Sequence, residues 1–130
     1  MAAILLDTTV VIDLLRGRSG AVRRLRALRE AGDPCVCAIN VEETVRGLRP
    51  AEGEQASRLF RGLRIVPLGE REGQQAGEWR REHAARGRTL TQADCLVAAA
   101  ALSVGGRLAT ENAKDFPMHE LAVEHWPAGA

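Results

Sequence analysis

Short apolar runs alternate along this chain with segments of helical periodicity, and that alternation restricts the fold more than any other feature. Ala2–Leu6 is an apolar run that stops at Asp7 and reads as a buried parallel strand. A helix is expected next, with Thr8 or Thr9 as N-cap, running through Val10, Val11, Leu14 and Leu15 to about Gly17. Ser19 is expected to cap a second helix whose stripe is Val22, Leu25 and Leu28, with Arg23, Arg24, Arg26 and Arg29 facing outward. Gly32-Asp33-Pro34 reads as a turn and Cys35–Ile39 as the second strand. Asn40 opens a third helix with Val41, Val45 and Leu48 inward, ending before Pro50. Glu52–Leu63 is the next helix, with Leu59 and Phe60 inward, and Arg64–Leu68 a third strand. A longer polar helix spans Glu70–Ala85 and contains Trp79. Thr91 caps a nearly all-apolar helix from Gln92 to Val104, whose character makes it central to the core. Arg107–Thr110 is a short strand, and Val123–Trp126 a last edge strand stopped by Pro127. This order predicts an α/β fold with a mainly parallel central sheet, right-handed crossovers and one domain over residues 1–130.

The acids fall in a pattern of their own. Asp7 follows the first strand, Glu43 lies in the first turn after the second, and Asp115 follows the strand Arg107–Thr110. Asp94 sits in the first turn of the apolar helix. Ligands of open parallel sheets bind beyond the carboxyl ends of the strands, where the topology changes direction. Strand order alone sends three of the acids to that edge, and the fourth joins them if the apolar helix starts there. Two like charges about 5 Å apart repel by about 3 kcal/mol at an effective dielectric of ~20. Such a site keeps a proton or holds a cation. Oxygen donors without a His or Cys pattern favour Mg²⁺ or Mn²⁺ over zinc, and that chemistry suits phosphodiester hydrolysis. A plainer reading competes at each position. Asn40-Val-Glu-Glu43, Thr91-Gln-Ala-Asp94 and Asn112-Ala-Lys-Asp115 all carry capping-box spacing.

Composition narrows the partners. The net charge is +1, so no broad basic field holds nucleic acid, and any RNA contact is local or mediated by a metal. Of 18 basic residues only Lys114 is a lysine, a bias that a GC-rich genome also produces. Three cysteines without partner spacing make neither a disulfide framework nor a zinc site. Cys35 and Cys37, two apart in a strand, are expected on one face. Met1–Leu6 is too short for a secretory signal, and Leu96–Leu102 falls far below the ~20 apolar residues of a membrane span. The chain reads as cytoplasmic, with no membrane partner.

Four segments together resemble a known family. Leu5-Leu-Asp-Thr-Thr-Val-Val-Ile-Asp-Leu-Leu-Arg-Gly17 is similar to the opening of PIN-domain toxins of the VapC group. Ala38–Leu48, Thr91–Leu102 and Leu108–Phe116 resemble the second, third and fourth motifs, in order and over nearly the whole chain. The resemblance implies a PIN-like three-layer α/β/α sandwich and a Mg²⁺-dependent endoribonuclease, with Mn²⁺ as a substitute. It further implies the toxic half of a toxin–antitoxin pair, acting on RNA and held by a VapB-type antitoxin as a homodimer within the complex. Asp7, Asp94, Asp115 and Glu43 match the family's metal and catalytic acids, with Glu42 an alternative for the second motif. Thr8, Thr110 and Asn112 match supporting polar positions. Two positions depart from the pattern. Asn40 stands where Ser or Thr is usual, and Glu111 where Arg is frequent.

Other residues are assigned no site role. Asp13 is expected to be solvated or ion-paired, and His83, His119 and His125 lack ligand spacing. Trp79 and Trp126 are expected to pack. Two alternatives remain: a receiver-like signalling module, which would need an Asp ending a central strand where this chain has Gly69 and Glu70, and a PIN-like fold without catalysis.

Overall fold

A computed structural model describes residues 2–128. Its sheet is all parallel, in the order β3-β2-β1-β4-β5. The strands are β1 (Ala2–Leu6), β2 (Gly32–Cys37), β3 (Arg64–Val66), β4 (Arg107–Thr110) and β5 (Ala122–His125). Six helices connect them: α1 (Thr8–Leu15), α2 (Ser19–Ala31), α3 (Ala38–Arg46), α4 (Gly53–Arg61), α5 (Glu70–Ala85) and α6 (Gln92–Ser103). A short 3₁₀ turn, Ala113–Asp115, links β4 to β5.

Period-two alternation divides the core into two layers. Ile4, Leu6 and Val36 face α1, α2 and α4, where Val10, Val11, Leu14 and Ala21 meet them. Leu5, Cys35 and Cys37 face the other way, onto Trp79 of α5 and the buried Cys95 and Val97–Ala101 of α6. The two cysteines do share a face. Helices on both sides of a parallel sheet make the expected three-layer sandwich. Its central helix α6 is rich in alanine, and that lack of bulk lets it pack closely on the sheet and on α5.

Several expected boundaries move. Gly32-Asp33-Pro34 is the start of β2, because Gly32, Asp33 and Pro34 pair with Ala2, Ala3 and Ile4. Pro34 stands one position before the first β2–β3 pair, Cys35↔Arg64, so its missing N–H costs no bond to β3. At Gly32 a Cβ would stand 2.5 Å from Leu28 Cδ1 and 3.1 Å from Ala2 O, which explains the glycine there. Strand β2 ends at Cys37, and α3 begins at Ala38 rather than Asn40. The inward residues of α3 are Asn40 and Thr44, while Val45 is 53% exposed, against the expected apolar stripe. Arg18, not Ser19, is the N-cap of α2. Arg24 is half-buried, its Nη1 donating to Pro127 O at 2.8 Å, so it does not simply face solvent. Strand β3 stops at Val66, and β5 begins one residue early.

Candidate metal centre

The sheet changes direction between β1 and β4: the chain moves from β1 to β2 and β3 on one side, then returns to β4 and β5 on the other. Such a switch opens a crevice at the carboxyl ends of the two strands. Asp7 is the first residue after β1 and Thr110 the last of β4, and the two meet there. Thr110 Oγ1 donates to Asp7 Oδ2 at 2.8 Å, and Thr8 N donates to Asp7 Oδ1 at 2.8 Å. Asp7, not Thr8 or Thr9, is thus the N-cap of α1. Its own N–H donates to Ala109 O at 2.9 Å, which ties it to the neighbouring strand. Asn112 N donates to Thr110 Oγ1 at 3.0 Å, and Asn112's side chain is exposed.

A second chain of hydrogen bonds runs in from β2. Asn40 is fully buried, and its Oδ1 accepts from Cys37 N at 2.8 Å while its Nδ2 donates to Thr8 Oγ1 at 3.2 Å. Thr8 Oγ1 in turn donates to Glu43 Oε1 at 2.6 Å. The cap predicted between Asn40 and Glu43 therefore forms one turn earlier, and Glu43, in the second turn of α3, is released to face Thr8. Glu42 is exposed and pairs with Arg46 at 3.1 Å, so it takes no part. Asp94 lies in the first turn of α6, where Thr91 Oγ1 accepts from Asp94 N at 3.1 Å. Asp115 closes the 3₁₀ turn after β4, its N–H donating to Asn112 O at 2.9 Å.

Electrostatics joins these acids. Burial pushes the Asp7 carboxyl above its ordinary value, the Thr110 and Thr8 hydrogen bonds oppose that shift, and the charges of Asp94 and Glu43 add to it. The Asp94 carboxyl is also raised, by burial first and then by Asp115 and Glu43, against the Thr91 hydroxyl. Asp7 and Asp94 therefore each feel other acids of the set. Among the described residues, no three His, Cys, Asp or Glu side chains form a ready-made ion cage. What stands at the mouth is an open array of hard oxygen donors, two of them held above their ordinary pKa by burial and mutual repulsion. That donor chemistry fits a divalent cation of the Mg²⁺ kind, which would relieve both costs.

Three residues near the mouth take contacts that the sequence reading did not assign. Asn40 is a bridge rather than a lost hydroxyl, since an amide donates and accepts at once. Thr9 Oγ1 accepts from Glu111 N at 3.3 Å. Asp13 is ion-paired, the second of its two expected roles, and buried: Arg18 Nε stands 3.5 Å from its Oδ1, and its Oδ2 has no hydrogen-bond partner. The two tryptophans pack as expected. Trp79 and Trp126 are buried, the former donating from Nε1 to Glu120 Oε2 at 3.1 Å, and His119 is exposed beside Glu120.

Comparison with known proteins identifies the fold and its family. The PIN domain family model matches residues 4–120. Ribonuclease VapC10 of Mycobacterium tuberculosis is 32% identical over 117 residues, covering 90% of this chain and 88% of its own. The structure of VapBC2 from Rickettsia felis, bound to a promoter DNA fragment, superposes with a TM-score of 0.84 at 21% identity, over 96% of this chain and 99% of that one, a likeness of fold. FitAcB from Neisseria gonorrhoeae has a TM-score of 0.73 at 28% identity, over 92% and 95% of the two chains. The three-layer sandwich with its parallel sheet is the arrangement of these relatives.

Proposed function

Because the chain belongs to the PIN domain family, we propose that it is a metal-dependent endoribonuclease, the toxic component of a VapBC-type toxin–antitoxin pair. Ribonucleases of this family are metal-dependent. What supports the reading is the pairwise influence among acids from four separate elements: the Asp7 carboxyl, at the switch point of the sheet, responds to Asp94 and Glu43, and that of Asp94 to Asp115 and Glu43.

Mg²⁺ is the proposed cofactor, with Mn²⁺ as a substitute, and Asp7, Asp94 and Asp115 are its proposed ligands, with Glu43 ligating or orienting the attacking water. When bound, such an ion neutralises the phosphate, acidifies a water and stabilises the leaving oxygen. The chain's own residues do the positioning. Thr110 and the Thr8 N–H fix both oxygens of Asp7. Thr8, steadied by Asn40, holds Glu43 at the rim, where its carboxylate can take a proton from water aligned on phosphorus. Attack in line then leaves a 5′-phosphate and a 3′-hydroxyl.

The proposed partners are RNA as substrate and a VapB-type antitoxin, in a complex containing a toxin homodimer, and the proposed location is the cytoplasm. Cys35, Cys37 and Cys95 are free and buried, as suits a reducing compartment, and burial raises the Cys95 thiol to about 11, which keeps it inert. Among the described residues no helix is long and apolar enough to cross a membrane. The test is RNA cleavage with Mg²⁺, with EDTA, and by Asp7→Asn. Cleavage that needs Mg²⁺ and is lost in the variant supports the assignment, and undiminished Mg²⁺-dependent cleavage by the variant rejects it.

A further inference from the structure

We propose that an arginine-lined cavity at the far end of α1 docks a backbone phosphate of the RNA strand whose scissile bond lies in the acidic mouth. The inference rests on the ribonuclease reading above. The cavity has a volume of about 400 Å³ and is lined by Arg16, Arg18, Ser19, Arg49 and Ala128. Its guanidinium groups come from two separate links, α1–α2 and α3–α4, so the fold and not a run of sequence brings them together.

These arginines are incompletely matched by the protein. Arg16 Nε is shut off from solvent without a hydrogen bond, and the nearest acid, Glu52 Oε2, is 3.6 Å away. Arg18 Nε reaches only to 3.5 Å of Asp13 Oδ1, and its side chain stays 54% exposed. Glu52 Oε1 is taken by the backbone N–H of Arg49 at 2.6 Å, which leaves Arg49's exposed guanidinium on the cavity wall. The remaining acid, Glu111, is crowded against Asp13. Burial and the neighbouring Asp13 raise the Glu111 carboxyl, while the Arg18 charge lowers it.

Ser19 adds to the same wall. It begins α2, a helix of thirteen residues whose N-cap makes no side-chain hydrogen bond, and it brings the positive end of that helix to the cavity. Planar guanidinium forks and helix N–H groups together suit phosphate oxygens. Placement suits a strand as well. Asp7 stands at the start of α1 and the cavity at its end, and eight residues of helix separate them by about 12 Å. A few nucleotides cover that span. With a net charge of +1, the protein has no diffuse field to hold RNA, and a grip on the backbone has to be local.

The test reads binding apart from cleavage. A fluorescent single-stranded RNA of about 12 nucleotides, within the site sizes of single-strand binders, is titrated in EDTA with wild type and with Arg18→Gln/Arg49→Gln. The double variant is expected to bind about tenfold more weakly, and its slope of log K against log salt to be shallower by about 1.4, the value for two lost phosphate contacts on a single strand. With Mg²⁺, KM for the same RNA should rise while kcat stays within about twofold, and a dinucleotide too short to span α1 should be cut equally well by both proteins. Arg18→Lys/Arg49→Lys should recover part of the affinity, and thermal melting of both variants checks the fold. Unchanged RNA affinity and salt slope overturn the proposal, as does a loss confined to binding of an acidic peptide. RNA held through the cavity by a wild-type chain that cleaves nothing would support the docking site and reject the ribonuclease reading.

Discussion

At the start of α1, both oxygens of Asp7 accept hydrogen bonds of 2.8 Å, one from the first N–H of the helix and one from Thr110 at the end of β4. At the end of the same helix, Arg16 Nε has no hydrogen bond, and the loop that carries Arg49 and Glu52 turns through Ala51 at φ 73°, a left-handed conformation that side chains resist. One end is tied to the sheet and fully engaged, and the other is built on links and left with unmet donors. The difference fits a division of labour in which groups that must stay in register for chemistry sit on rigid elements, while groups that grip a flexible substrate sit on loops.

The contrast breaks most severely at Asp7. Asp7→Asn is expected to lower RNA cleavage by at least about a thousandfold, because the side chain keeps its cap but loses the charge that draws a cation. The same variant should be more stable than wild type without divalent ions. Burial, with help from Asp94 and Glu43, holds the folded carboxyl above its ordinary value of 3.8, so the native state binds that proton more tightly than the unfolded chain. Asp7 therefore costs stability as the pH rises from 3.8 through the folded value, and costs nothing below both. Melting curves in EDTA should place Asp7→Asn above wild type near neutral pH, with the gap closing in acid. A gap that ignores pH would contradict this account of the mouth.

Asn40→Ala should have the next largest effect. It removes the only side-chain bridge from Cys37 N to Thr8 Oγ1 among the described residues and orphans a buried N–H, at a cost of about 2 kcal/mol. Loosening Thr8 should also let Glu43 drift and lower kcat by about tenfold, with KM little changed. Denaturant unfolding and steady-state kinetics read the two effects separately, and an unaltered kcat would detach Asn40 from the mouth. Smallest is Ala51→Gly at the other end of α1. Relief of the left-handed alanine, offset by the greater freedom of glycine in the unfolded chain, should leave a net gain of about 0.5 kcal/mol. A loss of stability there would show that the loop is not strained.

The sequence made the elements legible where local signals and tertiary packing agree. Glu70–Ala85 and Arg107–Thr110 have the boundaries that periodicity and turn residues predict, and Thr91 caps α6 as expected. Legibility failed where a long-range contact overrode a local signal. Gly32-Asp33-Pro34 has turn composition, yet pairing with Ala2, Ala3 and Ile4 extends it into β2. In α3 the inward face follows a polar network rather than apolar spacing, so Asn40 and Thr44 are buried and Val45 is not. Of the proposed site acids, Asp7 directly after β1 and Asp94 in the first turn of α6 stand where the sequence pattern puts them, while Glu43 lies one turn deeper in α3 than its capping spacing suggests. The arginine cavity was not legible, because Arg16 and Arg49 lie far apart in sequence and nothing in their spacing reveals that two links meet.

The central proposal is that Asp7, Glu43, Asp94 and Asp115 line a common divalent-cation site. Crystals grown with Mn²⁺ and measured for anomalous scattering test it most directly. The account predicts a peak within coordination distance of Asp7 and Asp94 oxygens, with Asp115 or Glu43 reaching it directly or through water. A well-ordered mouth without such a peak, or a peak bound by other residues, would contradict it.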